Sequence, residues 1–237
     1  MTELGWLGVL RHGESTGNVS AHSAETGGLE VIDIPERDAD VPLSPTGREQ
    51  CEAFGQWLAA QPARPDVAIV SPYLRTVQTA ELALAGTAIS IERDERLRDR
   101  ELGVLDLLTT RGVEARHPTE AARRARLGKF YYRPPGGESW ADVALRLRSL
   151  LGDLRRDWAD RRVLLVGHEA VVFLVRYLVE GLAEERLLAI ARDGTIANAS
   201  LSSWRRGADR RLAPETFNRV LEGVPATKEE EVHAEPV

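Results

Sequence analysis

The sequence is poor in cysteine and has no long hydrophobic run. Among its 237 residues only Cys51 is a cysteine, so no disulfide can form within the chain and a reducing compartment is expected. No apolar stretch approaches the roughly 20 residues that span a bilayer. The amino terminus also lacks the basic flank and apolar core of a signal peptide. We therefore predict a cytoplasmic protein that does not enter membranes, with Cys51 as a buried structural thiol.

Lysine is also scarce, and arginine carries almost all of the positive charge. Only Lys129 and Lys228 are lysines among 31 basic residues, and the formal net charge at pH 7 is -6. Domains that bind nucleic acids in general are usually basic. The composition therefore predicts no nucleic-acid partner.

Short apolar runs alternate with amphipathic stretches along the chain. This alternation is typical of an α/β protein in which a mostly parallel sheet carries helices on both faces. Strands are predicted over 4–10, 67–70, 89–91 and 163–166, with a final strand over 199–205. Helices are predicted over 44–60, 71–84, 140–158, 170–179 and 182–191, the first two capped by Ser44 and Ser71.

A single domain over residues 1–225 accommodates these elements, with insertions at about 19–43 and 105–135. The stretch from Val19 to Val41 has little periodicity, which predicts a long loop or partial lid. The second insertion is predicted to be a helical cap segment. Residues 226–237 are acidic and poor in apolar residues, so we expect a disordered tail there.

Three strand-to-helix junctions bring candidate chemistry to one edge of the predicted sheet. The first strand leads into Arg11 and His12, and the strand over 163–166 leads into His168. The junction after the second strand provides Arg75, one turn into a helix. Ligands bind at the carboxyl ends of parallel strands, and helix amino termini favour anions. The pattern predicts one cationic pocket for a phosphate dianion.

The expected chemistry of this pocket is attack by His12 on phosphorus. An imidazole is largely neutral at physiological pH, and nearby positive charge lowers its pKa further. The two arginines and His168 would stabilise the negative charge of the phosphoryl oxygens without a metal ion. The leaving oxygen needs a proton, and the charged segment 97–103 offers Asp99 and Glu101 as acids. We predict no metal site and no cofactor.

Five segments of the chain carry motifs in a fixed order. They are Leu10–Ser15 with Asn18, Leu43–Gly47, Ser71–Ala80, Gly137–Ser139 and Val166–His168. Together they resemble the histidine phosphatase superfamily, in its phosphoglycerate mutase-like group, over nearly the whole chain. This resemblance implies a three-layer αβα sandwich with a mostly parallel central sheet and helical or loop cap insertions.

The resemblance also implies a role for each matching residue. His12 would be the nucleophile that becomes phosphohistidine, and the phosphoryl group would be held by Arg11, Arg75 and His168. The substrate would be contacted by Asn18, Ser15 and Glu169.

The acid motif departs from the family pattern. The acid of the family is a glutamate four residues before a glycine. Relative to Gly103 that position is Asp99 in this sequence, which makes Asp99 the first candidate. Glu101, two residues nearer the glycine, is the second candidate.

The function implied is a metal-independent phosphomonoesterase that acts on a small phosphorylated metabolite. One alternative is a phosphoglycerate-type phosphomutase. Such mutases carry a lysine and an arginine pair after the acid motif, and the sequence after Gly103 does not match that pattern. The other alternative is a non-catalytic protein that binds a phospho-ligand, which is expected to lack the nucleophile or an arginine; this chain has both. The substrate and the oligomeric state stay open.

Overall fold

A computed structural model describes residues 2–225. Six strands in this part of the chain, β1 to β6, form one sheet in the order β3-β2-β4-β1-β5-β6. In chain order they span Trp6–Arg11, Val67–Val70, Ser90–Arg93, Arg162–Gly167, Leu201–Arg206 and Leu212–Arg219. The first four strands pair in parallel, and β5 and β6 add two antiparallel pairings. The predicted mostly parallel sheet is therefore confirmed.

The helices of the described residues, α1 to α8, cover both faces of this sheet. In chain order they span Thr16–Thr26, Pro45–Ala59, Leu74–Ala83, Thr110–Arg116, Pro118–Leu127, Trp140–Asp157, Glu169–Glu180 and Glu184–Asp193. Side chains of α6 and α7 form one hydrophobic core with the sheet, and side chains of α2 and α3 form another. The three-layer αβα arrangement is confirmed. None of these helices is long and apolar enough to cross a membrane.

The central strands are apolar throughout because both of their faces are buried. In β1, Leu7 and Val9 point into the core beneath α6 and α7, whereas Trp6 and Leu10 point into the core beneath α2 and α3. Successive side chains of a strand point to opposite faces, so a strand covered twice reads as one continuous apolar run. This burial fixes the register of β1 and brings His12 to its carboxyl end.

The prediction of a long loop or partial lid from Val19 to Val41 is wrong for its first residues, which are helical. Helix α1 continues to Thr26, and a single 3-10 turn follows at Asp38–Asp40. Only Ala24 of α1 is buried, so the helix leaves almost no apolar periodicity in the sequence. Its start is set instead by a reciprocal capping arrangement between Ser15 and Asn18.

Two further expectations need correction, and one lies outside the described residues. Helix α3 begins at Leu74, and Ser71 does not cap it. The predicted strand over 199–205 is not the last one, because β6 follows it. Strand β6 contains a proline and mostly exposed or half-exposed side chains. Its sequence therefore lacks the apolar pattern that predicts a strand. The acidic tail predicted over 226–237 lies outside the described residues.

Candidate active site

His12 directly follows β1 and is buried. Its Nδ1 lies 2.7 Å from the carbonyl oxygen of Gly13. A carbonyl oxygen can only accept a hydrogen bond, so Nδ1 carries the ring proton and Nε2 keeps its lone pair. Burial lowers the pKa of His12 well below its usual value, and the positive charge of Arg75 lowers it further. The ring is therefore held in its neutral form.

His168 is the N-cap residue of α7 and is fully buried. The centroid of its ring lies 5.3 Å from that of His12. Its Nε2 lies 2.9 Å from the Oγ of Ser71, and its Nδ1 lies 3.3 Å from the Oδ2 of Asp99. Burial lowers the pKa of His168 well below its usual value, and Arg75 again adds to the effect. Both imidazoles of the pair are therefore uncharged at neutral pH.

Arg11 is the last residue of β1, and its side chain is buried. Its Nη1 donates a hydrogen bond to the carbonyl oxygen of Ile196. Its Nε–H is buried as well and meets no hydrogen-bond acceptor among residues 2–225. Because a buried donor without an acceptor is costly, this group is suited to an oxygen of a bound anion. The charge of Arg11 also lowers the pKa of His12, so the guanidinium lies close to that ring.

Arg75 lies in the first turn of α3 and is buried between two carboxylates. Its Nη1 donates to both the carbonyl oxygen of Asp38, at 2.6 Å, and the Oδ1 of Asp38, at 2.8 Å. Its Nη2 donates to the Oδ2 of Asp99 at 3.1 Å. The guanidinium carbon lies 5.0 Å from the centre of the Tyr73 ring. These contacts fix the guanidinium plane and leave it beside both histidines.

The two candidate acids have different partners. Asp99 contacts both Arg75 and His168 directly, and its carbonyl oxygen accepts a hydrogen bond from Arg146 at 3.0 Å. Glu101 instead accepts a hydrogen bond from the hydroxyl of Tyr73 at 3.1 Å. The structure thus brings Asp99 into the histidine pair, whereas Glu101 reaches it through Tyr73.

The three residues expected to contact substrate also make internal contacts. The Oδ1 of Asn18 accepts hydrogen bonds from the backbone N–H and the hydroxyl of Ser15, at 3.1 and 2.9 Å. Glu169 accepts the backbone N–H of Ile196 at 2.8 Å, and the carbonyl of Ile196 binds Arg11. Ser15 and Glu169 therefore support the loops around the pocket. Direct contact of these residues with substrate stays a prediction.

The motif Leu43–Gly47 supports the loop that carries His12. The hydroxyl of Ser44 donates to the Oε1 of Glu14 at 2.5 Å and also accepts the backbone N–H of Gly47 at 3.0 Å. A Cβ placed on Gly47 would overlap the carbonyl oxygen of Glu14. The amino terminus of α2 can thus approach the His12 loop only because residue 47 is glycine.

The sequence predictions missed four residues of this site: Asp38, Ser71, Tyr73 and Asn198. Ser71 and Tyr73 lie inside a matched motif, but local pattern predicted a capping role for the serine. The amide of Asn198 donates to the carbonyl oxygen of His12 at 3.1 Å, a contact between distant parts of the chain. Asp38 lies in an acid-rich stretch without periodicity. No local signal distinguishes Asp38 or Asn198 from surface residues.

Comparison with known proteins gives relatives of this arrangement. A chicken (Gallus gallus) 6-phosphofructo-2-kinase/fructose-2,6-bisphosphatase is 30% identical over 178 residues, which cover 75% of this chain and 33% of that protein. The chain thus spans about a third of the length of the curated relatives that it matches.

Solved structures resemble the chain over most of its length. A mycobacterial glucosyl-3-phosphoglycerate phosphatase, in complex with VO3, is 28% identical with a TM-score of 0.72 and covers 90% of this chain and 98% of its own. The structure named mycobacterial hydrolase 1 is 27% identical with a TM-score of 0.73, covering 91% of this chain and 99% of its own. The family model of the histidine phosphatase superfamily (branch 1) matches residues 7–218. This chain belongs to the histidine phosphatase superfamily.

Proposed function

We propose that the protein is a phosphomonoesterase that forms a phosphohistidine on the Nε2 of His12. The observation that carries this proposal is the hydrogen bond from the Nδ1 of His12 to Gly13. This bond leaves the lone pair on Nε2, and burial keeps the ring unprotonated. A neutral imidazole beside two buried guanidinium groups is suited to attack a phosphate monoester.

In the first step Nε2 attacks phosphorus, an N–P bond forms and the bond to the leaving oxygen breaks. The guanidinium groups of Arg11 and Arg75 stabilise the charge on the three phosphoryl oxygens. Asp99 gives its proton to the leaving oxygen, and Glu101 is the alternative acid. In the second step the carboxylate takes a proton from water as the water attacks phosphorus. The N–P bond then breaks and orthophosphate is released.

The names of two relatives support hydrolysis over transfer to a second alcohol. One contains a fructose-2,6-bisphosphatase and another is a glucosyl-3-phosphoglycerate phosphatase. Both names describe release of a phosphoryl group from a small phosphorylated metabolite. We infer the same substrate class for this chain and place the protein in the cytoplasm.

We further infer that the leaving group occupies a cavity of about 550 Å³ between the cap helices and the start of α7. Glu169 lines this cavity and directly follows His168. Its walls combine the apolar side chains of Val113, Phe173 and Leu188 with charged ones that include Lys129 and Arg192. Its volume is typical of small-molecule sites. A bulky, partly apolar alcohol fits this space better than a three-carbon sugar acid.

This placement can be tested by filling the cavity. Ala191 lines it, whereas Ala122 on α5 does not line it and is exposed. We expect Ala191→Phe to lower kcat/KM for naphthyl phosphate about tenfold and to leave that for ethyl phosphate unchanged. Ala122→Phe should change neither value. Equal losses for both esters in Ala191→Phe would contradict the placement.

The activity itself can be tested with 4-nitrophenyl phosphate and a trapped intermediate. Wild-type protein should hydrolyse the ester in the presence of a chelator, and His12→Asn should abolish turnover. Acid-quenched and base-quenched samples should differ, because a phosphoramidate is labile to acid and stable to base. An acid-stable adduct would exclude His12 as the phosphoryl carrier. Exchange between phosphoglycerates without hydrolysis would favour the mutase, and phosphate binding without either reaction would favour a non-catalytic binder.

A further inference from the structure

Asp38 contacts the phosphate-binding arginine from a loop outside the family motifs. It lies in the 3-10 turn Asp38–Asp40, and both its carbonyl oxygen and its carboxylate accept hydrogen bonds from the Nη1 of Arg75. The carboxylate oxygen is the closer of the two carboxylates that Arg75 binds, at 2.8 Å against 3.1 Å for Asp99. Asp38 therefore shares the guanidinium on which the proposed phosphoryl site depends.

The contact with Asp38 reduces the number of Arg75 N–H donors that a bound anion could use. A guanidinium has five N–H donors, two on each terminal nitrogen and one on Nε. Among residues 2–225, Asp38 takes both donors of Nη1 and Asp99 takes one of Nη2. With respect to these described residues, only Nε and one Nη2 donor stay available. A phosphoryl group that binds through both terminal nitrogens must therefore displace the Asp38 carboxylate.

The carboxylate of Asp38 is suited to such displacement. Its side chain is 45% exposed, so it can turn to water while the carbonyl oxygen keeps its own bond to Arg75. Partial loss of hydration beside the site raises the pKa of Asp38 despite the attraction of Arg75, and the nearby Asp99 raises it further. The ionised Asp38 carboxylate is therefore less stable here than in water. A phosphoryl dianion can replace it on Arg75 more easily for that reason.

We propose that Asp38 is a positioning residue that competes with the phosphoryl dianion for Arg75 and thereby weakens the binding of orthophosphate. The proposal rests on the proposed function only in taking Arg75 as a phosphate ligand. A site with two arginines and two neutral histidines would otherwise retain orthophosphate after each turnover. Competition by Asp38 shortens this retention at the cost of a higher KM.

The test compares Asp38→Asn with the matched variant Asp40→Asn. Asp40 lies in the same turn, is half exposed and pairs with the exposed Arg37 instead of the site. We expect Asp38→Asn to bind orthophosphate and vanadate about tenfold more tightly in calorimetry, with a lower KM and a lower kcat. Asp40→Asn should stay within twofold of wild type, and Asp38→Glu should restore the weaker binding.

Calorimetry separates this proposal from the proposed function, because binding of orthophosphate needs no turnover. One outcome is that wild-type protein hydrolyses no ester while Asp38→Asn still binds orthophosphate more tightly. That result would contradict the proposed phosphatase activity and support the competition by Asp38. Unchanged binding in Asp38→Asn, with wild-type thermal stability, would overturn the competition. Weaker binding would overturn it too, because the carboxylate would then be orienting Arg75 for the anion.

Discussion

The Oγ of Ser71 lies 2.9 Å from the Nε2 of His168 and joins the loop after β2 to the N-cap residue of α7. Both groups are buried. Since the Nδ1 of His168 faces the carboxylate of Asp99, the serine hydroxyl fixes the other ring nitrogen. The contact therefore sets the orientation of the second histidine.

Removal of this hydroxyl should reduce both stability and turnover. Ser71→Ala leaves a buried ring nitrogen without a partner, and we expect the free energy of unfolding to fall by about 1–3 kcal/mol. We also expect kcat to fall about tenfold because His168 can rotate. Urea unfolding and steady-state kinetics measure the two effects. Ser200→Ala is the control for stability, because the buried hydroxyl of Ser200 has no hydrogen-bond partner in residues 2–225; its loss should cost nothing.

The general acid can be identified from how strongly the loss of kcat in each variant depends on the leaving group. Asp99→Asn should lower kcat for an alkyl phosphate by about 10²- to 10⁴-fold. The loss for 4-nitrophenyl phosphate should be much smaller, since nitrophenolate leaves without a proton. Glu101→Gln should lower both rates by a similar small factor. The reverse pattern would assign the acid to Glu101.

The two histidines should make the protein less stable as the pH falls below about 6.5. Their native pKa values lie well below the usual value, so the unfolded chain binds more protons in this range. The free energy of unfolding therefore decreases as the pH falls, by up to about 1.4 kcal/mol per histidine at pH 5.5. Urea unfolding at pH 7.5 and 5.5 should show a smaller decrease in His12→Gln than in wild type. Equal decreases would mean that the native ring takes up a proton as readily as the unfolded one.

The close approach of α2 to the His12 loop gives a prediction about one glycine. Gly47→Ala should destabilise the protein by more than about 3 kcal/mol or prevent folding, because the added methyl group overlaps the backbone of Glu14. Gly152→Ala is the matched control, since Gly152 lies on an exposed position of α6 with open space around it. That change should stabilise the protein by up to about 1 kcal/mol. Thermal unfolding of the two variants gives the comparison.

Sequence patterns predicted the central strands and α6 well because local and tertiary preferences agree there. The apolar run of β1 is buried on both faces, and Ser139 begins α6 with a capping box. The motifs that carry Arg11, His12 and His168 lie at the carboxyl ends of two of these strands, β1 and β4. Their chemical roles stay predictions.

The elements that were missed depend on contacts between distant residues. Within the described part of the chain, strand β6 pairs with β5 alone, and its Glu215 accepts hydrogen bonds from Trp6 and Ser203. These interactions have no signature in the local sequence. Asp38 was missed for the same reason, because its partner Arg75 lies 37 residues away. Propensity and periodicity cannot report such pairs.

The position of β4 has a consequence for how a nascent chain acquires the proposed phosphate pocket. Strands β1 and β2 do not pair with each other; each pairs with β4, whose residues are 162–167. A ribosome that has reached residue 160 has already produced Arg11, His12 and Arg75, but not the strand that joins β1 to β2. Affinity for phosphate should therefore emerge in one late event of translation instead of growing with each motif.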